Sequence, residues 1–290
     1  MFMETFIQSL VNGILTGALY AMIGIGLTII FGVMRIINMA HGEMVMLGMY
    51  GSFWAHQAWK IDPFLSIVIW VPLAFLAGML AYRFLLKNIV PAGELNTLLY
   101  TAGLSLFVAN LALLVWTGDY RTIKLAYAIL PLRPWGIAVP IPLALAFGLA
   151  VIITGLLYWF LVRTNTGRAI RATAQEPEAA ALMGISPGLM ATLTFGLGTA
   201  LACGAGVLLA PSLYLYPTVG EILVAKCFVI VVLGGLGSVP GAIAGGLILG
   251  VVESLGAVYV SVPYKDAIGF VIFLLVLLFR PSGLFGVGKT

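Results

Sequence analysis

Apolar and polar positions in this chain fall into long blocks rather than a short repeat. Apolar runs cover residues 6–33, 43–59, 64–84, 97–116, 143–162, 189–210, 222–236, 242–260 and 267–279. Most approach the roughly 20 residues a helix needs to cross about 30 Å of hydrocarbon. Barrel strands would alternate apolar and polar residues; these runs are apolar all round, which favours helices. The expected fold is all-α, a polytopic membrane helical bundle forming one domain over residues 1–290. Eight or nine spans are expected, because the glycine-rich stretch 234–241 makes residues 222–260 either one interrupted unit or two passes.

The polar blocks divide the runs. Lys60, Asp62 and Pro63 mark a turn, with Trp59 and Trp70 as interfacial anchors. Arg83, Lys87, Pro91, Gly93 and Glu94 form a connector. Residues 118–142, with Pro131, Pro134, Pro140 and Pro142, cannot be a regular helix and are expected to pack as an outer surface loop.

The most polar block is 163–187, which holds Arg163, Arg168, Arg171, Glu176 and Glu178. Its residues spell a short helix between two breaks. Pro177 suits a first helical position, the alanines 179–181 are strong helix formers, and Gly184 suits a helix C-terminus. Ser186 and Pro187 read as cap and first residue of the next span. The helix presents Ala179, Ala180 and Ala181 as a small face, with Leu182 and Met183 as apolar contacts. A solvated loop needs no such capped, glycine-stopped alanine run; a helix that fits a groove in a partner does.

Composition agrees. Hydrophobic residues make up 62% of the chain and charged residues 8%, against about 25% charged in soluble domains. The net charge of +4 reads as a positive-inside bias. No basic run with interleaved aromatics points to nucleic acid. Placing block 163–187 in the cytoplasm puts Arg35, Arg83, Lys87 and, if residues 222–260 make two passes, Arg280 inside, with Lys60 and the proline-rich loop outside. Residues 1–6 carry Glu4 and no Lys or Arg, so no cleavable leader is read there and the first run is kept as a span.

Chemistry is sparse. Cys203 and Cys227 lie in apolar runs without metal-ligand spacing, so no metal site is expected. Nor is there a Ser/His/Asp or Cys/His set for nucleophilic catalysis. Residues 283–290 match G-x-x-x-x-G-K-T, but no strand precedes them and no helix follows in the sequence, so Lys289 is read as a basic tail residue.

Polar residues at membrane depth are the remaining candidates. Asn38, His41 and Glu43 stand close to Arg35; on a helix Asn38 would share a face with His41 and with Arg35, and Gly42 would break it. Two readings stand: a turn between spans, or a broken-helix element lining a pathway. Lys226 and Glu253 interrupt late apolar runs and point to a polar network or pathway. Gly241, Gly245, Gly246 and Gly250, like Gly13 and Gly17 earlier, are spaced for close helix packing.

Three stretches, INMAHGEM (37–44), GRAIRATAQEPEAAALMGI (167–185) and VLGGLGSVPGAIAGGLILGVVES (232–254), together resemble the branched-chain amino-acid permease family of ABC importers. The likeness extends from Asn38 to Gly283, with Pro177 inside the acidic segment as a modest departure. It implies a transport subunit of a bacterial cytoplasmic membrane importer for leucine, isoleucine, valine or a related small amino acid or amide. Glu178, Ala179, Ala180 and Gly184 match the family's ATPase-coupling loop, with Ala181 inside the same run. The implied partners are a second homologous permease, two ATP-binding subunits and an extracytoplasmic binding protein. ATP and Mg would sit on the ATPases, so this chain would bind no cofactor and would be no enzyme. A self-contained secondary transporter or channel is the alternative from another class; it would need its own coupling-ion site and no docking helix.

Overall fold

A computed structural model describes residues 2–128, 131–133, 136–280 and 283–285. Among these, the chain forms eleven α-helices and only isolated β-bridges. They are α1 (Phe2–Met34), α2 (His41–Trp59), α3 (Ile67–Ala81), α4 (Glu94–Trp116), α5 (Ile141–Arg163), α6 (Asn165–Gln175), α7 (Pro177–Leu182), α8 (Pro187–Leu209), α9 (Val219–Gly234), α10 (Val239–Tyr259) and α11 (Lys265–Phe279). A π-helical turn, Tyr82–Leu86, lengthens α3. Most of the segment 283–290 lies outside the described residues; Leu284 and Phe285 bond back to the carbonyls of Leu233 and Gly234 at the end of α9.

Loop contacts sort the helix ends into two sets. At one end the Gln8 side chain donates to the Ala138 carbonyl at 2.6 Å, and Tyr127 donates to Asp62 at 2.8 Å. Arg121 and Leu215 exchange backbone bonds at that same end. The proline-rich loop is therefore packed rather than loose: Ile123, Leu125 and Val139 are buried. At the other end Gly32 faces Gly237, and α6 and α7 pack beside the ends of α5 and α8.

The chain thus crosses the bundle nine times, through α1–α5 and α8–α11, and α9 and α10 are separate passes. Among the described residues, seven helices are long and apolar enough to cross a membrane by themselves. The other two passes are α2 and α9, which are wrapped by neighbours. Their short or polar sequences are tolerated because α8 and α9 cover α2, and α10, α2 and α1 cover α9.

Small residues bring the long helices together. A Cβ on Gly246 would fall on the backbone of Ala21, and one on Gly250 on that of Gly13 and Gly17, so α1 and α10 touch main chain to main chain. Gly241 and Gly245 meet the other neighbour, α9, at Gly234 and Ile230. All four expected packing glycines do pack, on two different partners. On α8, Gly196 abuts α3 and Gly206 abuts α2.

These contacts form an arrangement invisible in the linear pattern. Helices α1, α2 and α3 correspond to α8, α9 and α10, traversed in the opposite direction. α1 lies along α10 as α8 lies along α3, and α2 crosses α9 at the centre. Both central helices begin with X-Gly-Glu, His41-Gly42-Glu43 and Val219-Gly220-Glu221. Inverted repeats of this kind, with short central helices, are a recurrent transporter architecture.

Candidate functional site

The crossing of α2 and α9 is where polar groups enter the bundle. α1 stops at Met34, Arg35 takes a left-handed φ of 54°, and the chain doubles back through an irregular link, residues 35–40. Asn38 is not helical, so the expected shared face with His41 and Arg35 does not exist. Its Oδ1 accepts from the Ala40 amide at 3.1 Å, closing a local turn just before α2. The Thr101 hydroxyl supports the same link, accepting from the Met39 amide at 3.2 Å. Gly42 does not break a helix either; it is the second residue of α2, where a Cβ would strike the Gly220 carbonyl.

His41 is fully buried, with Nε2 3.1 Å from the Ile23 carbonyl. Cys227 donates to that same carbonyl at 3.6 Å, so this part of α1 ties α2 and α9 together. Glu43 is also fully buried, and its Oε1 accepts from the Ser105 hydroxyl at 3.0 Å. Ser105 lies midway along α4, which sets the carboxylate at mid-depth of a spanning helix.

The second polar group joins four helices. The Lys226 ammonium on α9 donates to both Glu253 oxygens on α10 at 2.6 Å and to Asp266 on α11 at 2.7 Å. It also donates to the Tyr20 hydroxyl on α1 at 3.2 Å, and Tyr20 donates to Glu253 at 3.0 Å. Lys226 and Glu253 are 7% and 6% exposed. Each charge therefore meets an opposite charge and a hydroxyl, the condition for holding ions away from water. Asp266 and Tyr20 were not singled out in the sequence: Asp266 reads as part of a turn, and Tyr20 as an ordinary aromatic within a span. Asn38, His41 and Glu43 lie at the α2–α9 crossing, apart from the direct contacts of the Lys226 network. Among the described residues no group of three His, Cys, Asp or Glu side chains is arranged to hold a metal.

The third feature is the end of the bundle that carries α6 and α7. The Thr164 hydroxyl caps α6 by accepting from the Gly167 amide at 3.0 Å, so the polar block contains two helices rather than one. Gly167 lies against the backbone of Phe160 and Leu161, and Arg171 donates to the Leu161 carbonyl at 3.0 Å. α6 is thereby clamped to α5. α7 ends as its residues predict: Gly184 has φ 82°, its amide bonds to Ala181, and the Ile185 amide bonds to Ala180. The expected small face is revised. Ala180 is buried against the bundle, while Glu178, Ala179, Ala181 and Gly184 are exposed. Leu182 and Met183, at 89% and 83% exposure, are the large apolar groups that α7 projects.

The site thus combines a buried ionic network, an irregular link that leads into a central helix, and a short helix held at one end of the bundle. Residues 9–277 match the family described as branched-chain amino acid transport system / permease component. The chain belongs to that permease family. It is 34% identical to the high-affinity branched-chain amino acid transport system permease protein BraD of Pseudomonas aeruginosa, covering 97% of this chain and 96% of the relative. The LivH protein of Salmonella typhimurium is 33% identical with the same coverage. A probable LivH of Methanocaldococcus jannaschii is 28% identical over 95% of the chain and 91% of its own length. No solved structure matches the permease.

Proposed function

We propose that this permease is one membrane subunit of an ATP-driven importer that moves leucine, isoleucine or valine across a bacterial cytoplasmic membrane. The observation that carries the reading is α7, where Leu182 and Met183 stand in the open on a short capped helix backed by α6 and α8. Apolar side chains that exposed, at a polar end of the bundle, suit the groove of a soluble partner. An ATP-hydrolysing subunit is the partner by family analogy. The permease itself would hydrolyse nothing. A second permease would complete the pathway, two ATPases would dock at the α7 ends, and an external binding protein would deliver the amino acid. ATP and Mg would remain on the ATPases.

Basic residues support this orientation modestly. Seven (Arg35, Arg83, Lys87, Arg163, Arg168, Arg171 and Arg280) lie at the α7 end, against five (Lys60, Arg121, Lys124, Arg133 and Lys265) at the opposite end. Alternating access requires that closing of the ATPases favour one state of the bundle, through contacts that differ between states. α6, clamped to α5 by Arg171 and Gly167, gives α7 a firm lever for that coupling.

The test is uptake of labelled leucine by vesicles carrying the complete importer. ATP-dependent accumulation is expected. Accumulation without ATP, driven by an ion gradient, would instead establish the secondary-transporter alternative. Leu182→Asp combined with Met183→Asp is expected to weaken ATPase association roughly tenfold or more, since each buried apolar side chain contributes on the order of 1.5–3 kcal/mol. Co-purification of the ATPases checks it, and wild-type recovery would show that α7 is not the docking surface. Ala180→Asp disturbs the α7 fold instead, because Ala180 faces the bundle.

A further inference from the structure

The two polar groups of the permease differ in one respect. Lys226 gives the acids of its network a cation to pair with, whereas Glu43 has no basic side chain within ion-pair distance among the described residues. Glu43 is fully buried, its Oε1 is held by Ser105, and its Oε2 has no hydrogen-bond partner. The carboxylate lies against the α-carbon of Gly220, where a Cβ would collide with both oxygens. The next residue along α9, Glu221, is exposed. Glu43 therefore lies one residue away from a second acid, each in the first turn of its own helix.

Helix N-termini favour ionised carboxylates over neutral ones. A fully buried carboxylate without a basic partner calls for a cation or a proton. Polar residues lead from the buried carboxylate to the surface: Ser105, bonded to Glu43, is partly exposed, and Glu221, next to Gly220, is exposed. Gly42 and Gly220 lie in contact across the crossing, so no side chain stands between Glu43 and the start of α9.

We propose that Glu43, with Glu221 beside it and Ser105 holding it in place, receives the α-ammonium group of the transported amino acid. This rests on the importer reading above, which supplies a substrate with one positive charge on an otherwise apolar frame. Glu43 would accept the ammonium through its free Oε2, and the inverted pairing of α2 with α9 would bring Glu221 to the same charge from the second half of the fold. A bare proton or an inorganic cation is the competing occupant.

The complete importer in vesicles, loaded with ATP and given leucine-loaded binding protein, tests the assignment. Glu43→Gln keeps the shape and removes the charge; it is expected to lower the uptake rate roughly ten- to a hundredfold, the worth of a charge-assisted hydrogen bond. Glu221→Gln is expected to lower it severalfold, and Glu43→Asp to recover part of the loss. Complex assembly and thermal stability should hold in Glu43→Gln, because an unpaired buried charge has been removed. Uptake by Glu43→Gln within twofold of wild type overturns the proposal. So does wild-type uptake that collapses when inorganic monovalent cations are withdrawn, since Glu43 would then serve a coupling ion. If Glu43→Gln does not assemble, the exposed Glu221→Gln decides, and full activity there overturns the proposal. A wild-type complex that takes up no leucine refutes the importer reading, and this assignment with it.

Discussion

Lys226→Met is expected to destabilise the permease by about 3–5 kcal/mol, the usual cost of removing one partner from a buried ion pair. The substitution would leave Glu253, 6% exposed, without its cation, and Tyr20 is a poor substitute for an ammonium. Glu253→Gln is expected to cost less, because Lys226 keeps Asp266 at 2.7 Å and that side chain is 40% exposed and partly solvated. The combined Lys226→Met and Glu253→Leu variant is expected to recover much of the lost stability, since matched apolar groups carry no desolvation cost. Thermal unfolding of the purified complex in detergent, read as a double-mutant cycle, measures all three. If Lys226→Met unfolds at the wild-type temperature, the network does not hold α1, α9, α10 and α11 together.

Gly250→Val is expected to prevent stable packing of α1 on α10. A Cβ there would overlap the backbone of Gly13 and Gly17. Backbone atoms inside a helix cannot rotate away as a side chain can. Overpacking typically costs about 1–3 kcal/mol where side chains adjust, so a clash between main chains belongs at or above the top of that range. Gly246→Val, beside Ala21, is expected to act alike. Gly103→Ala on α4, where nothing lies within 4 Å of the added carbon, serves as the control and is expected to leave stability unchanged. Yield of monodisperse protein from membranes reads the outcome, and equal yields for Gly250→Val and Gly103→Ala would refute main-chain contact as the basis of this packing.

The parts that were legible from the residues share a property: their causes are local. An apolar run announces a membrane helix because its length and composition alone meet the solvent's requirement. The end of α7 was readable because Gly184, Ser186 and Pro187 act on their own or adjacent backbone bonds. At Asn38 the same local logic left two readings open, a turn between spans or a broken-helix element, and the chain takes an irregular link there, leaving α1 at Met34 and restarting at His41. Nothing within those residues requires the break; Thr101, far along the chain, holds the link in its folded form. Ala180 was assigned outward with its neighbours, and only the packing of α7 on α6 and α8 turned it inward.

By itself, then, the sequence of this permease determined that it is a helical membrane protein, where most of its spans lie, that one polar block carries a capped helix, and which family it resembles. These follow from hydropathy, turn chemistry and residue pattern, all of which act within a few neighbours. The tertiary structure alone decided that α2 and α9 cross at the centre of an inverted repeat and that Glu43 meets Ser105 and Gly220. It also decided that Lys226 draws Glu253, Asp266 and Tyr20 from three other helices. Lipid gives no strong preference for which apolar helix lies beside which. That choice rests on main-chain contact at a few glycines and on a few buried polar bonds, as between Gly13 and Gly250 or Tyr20 and Glu253, far apart in the chain.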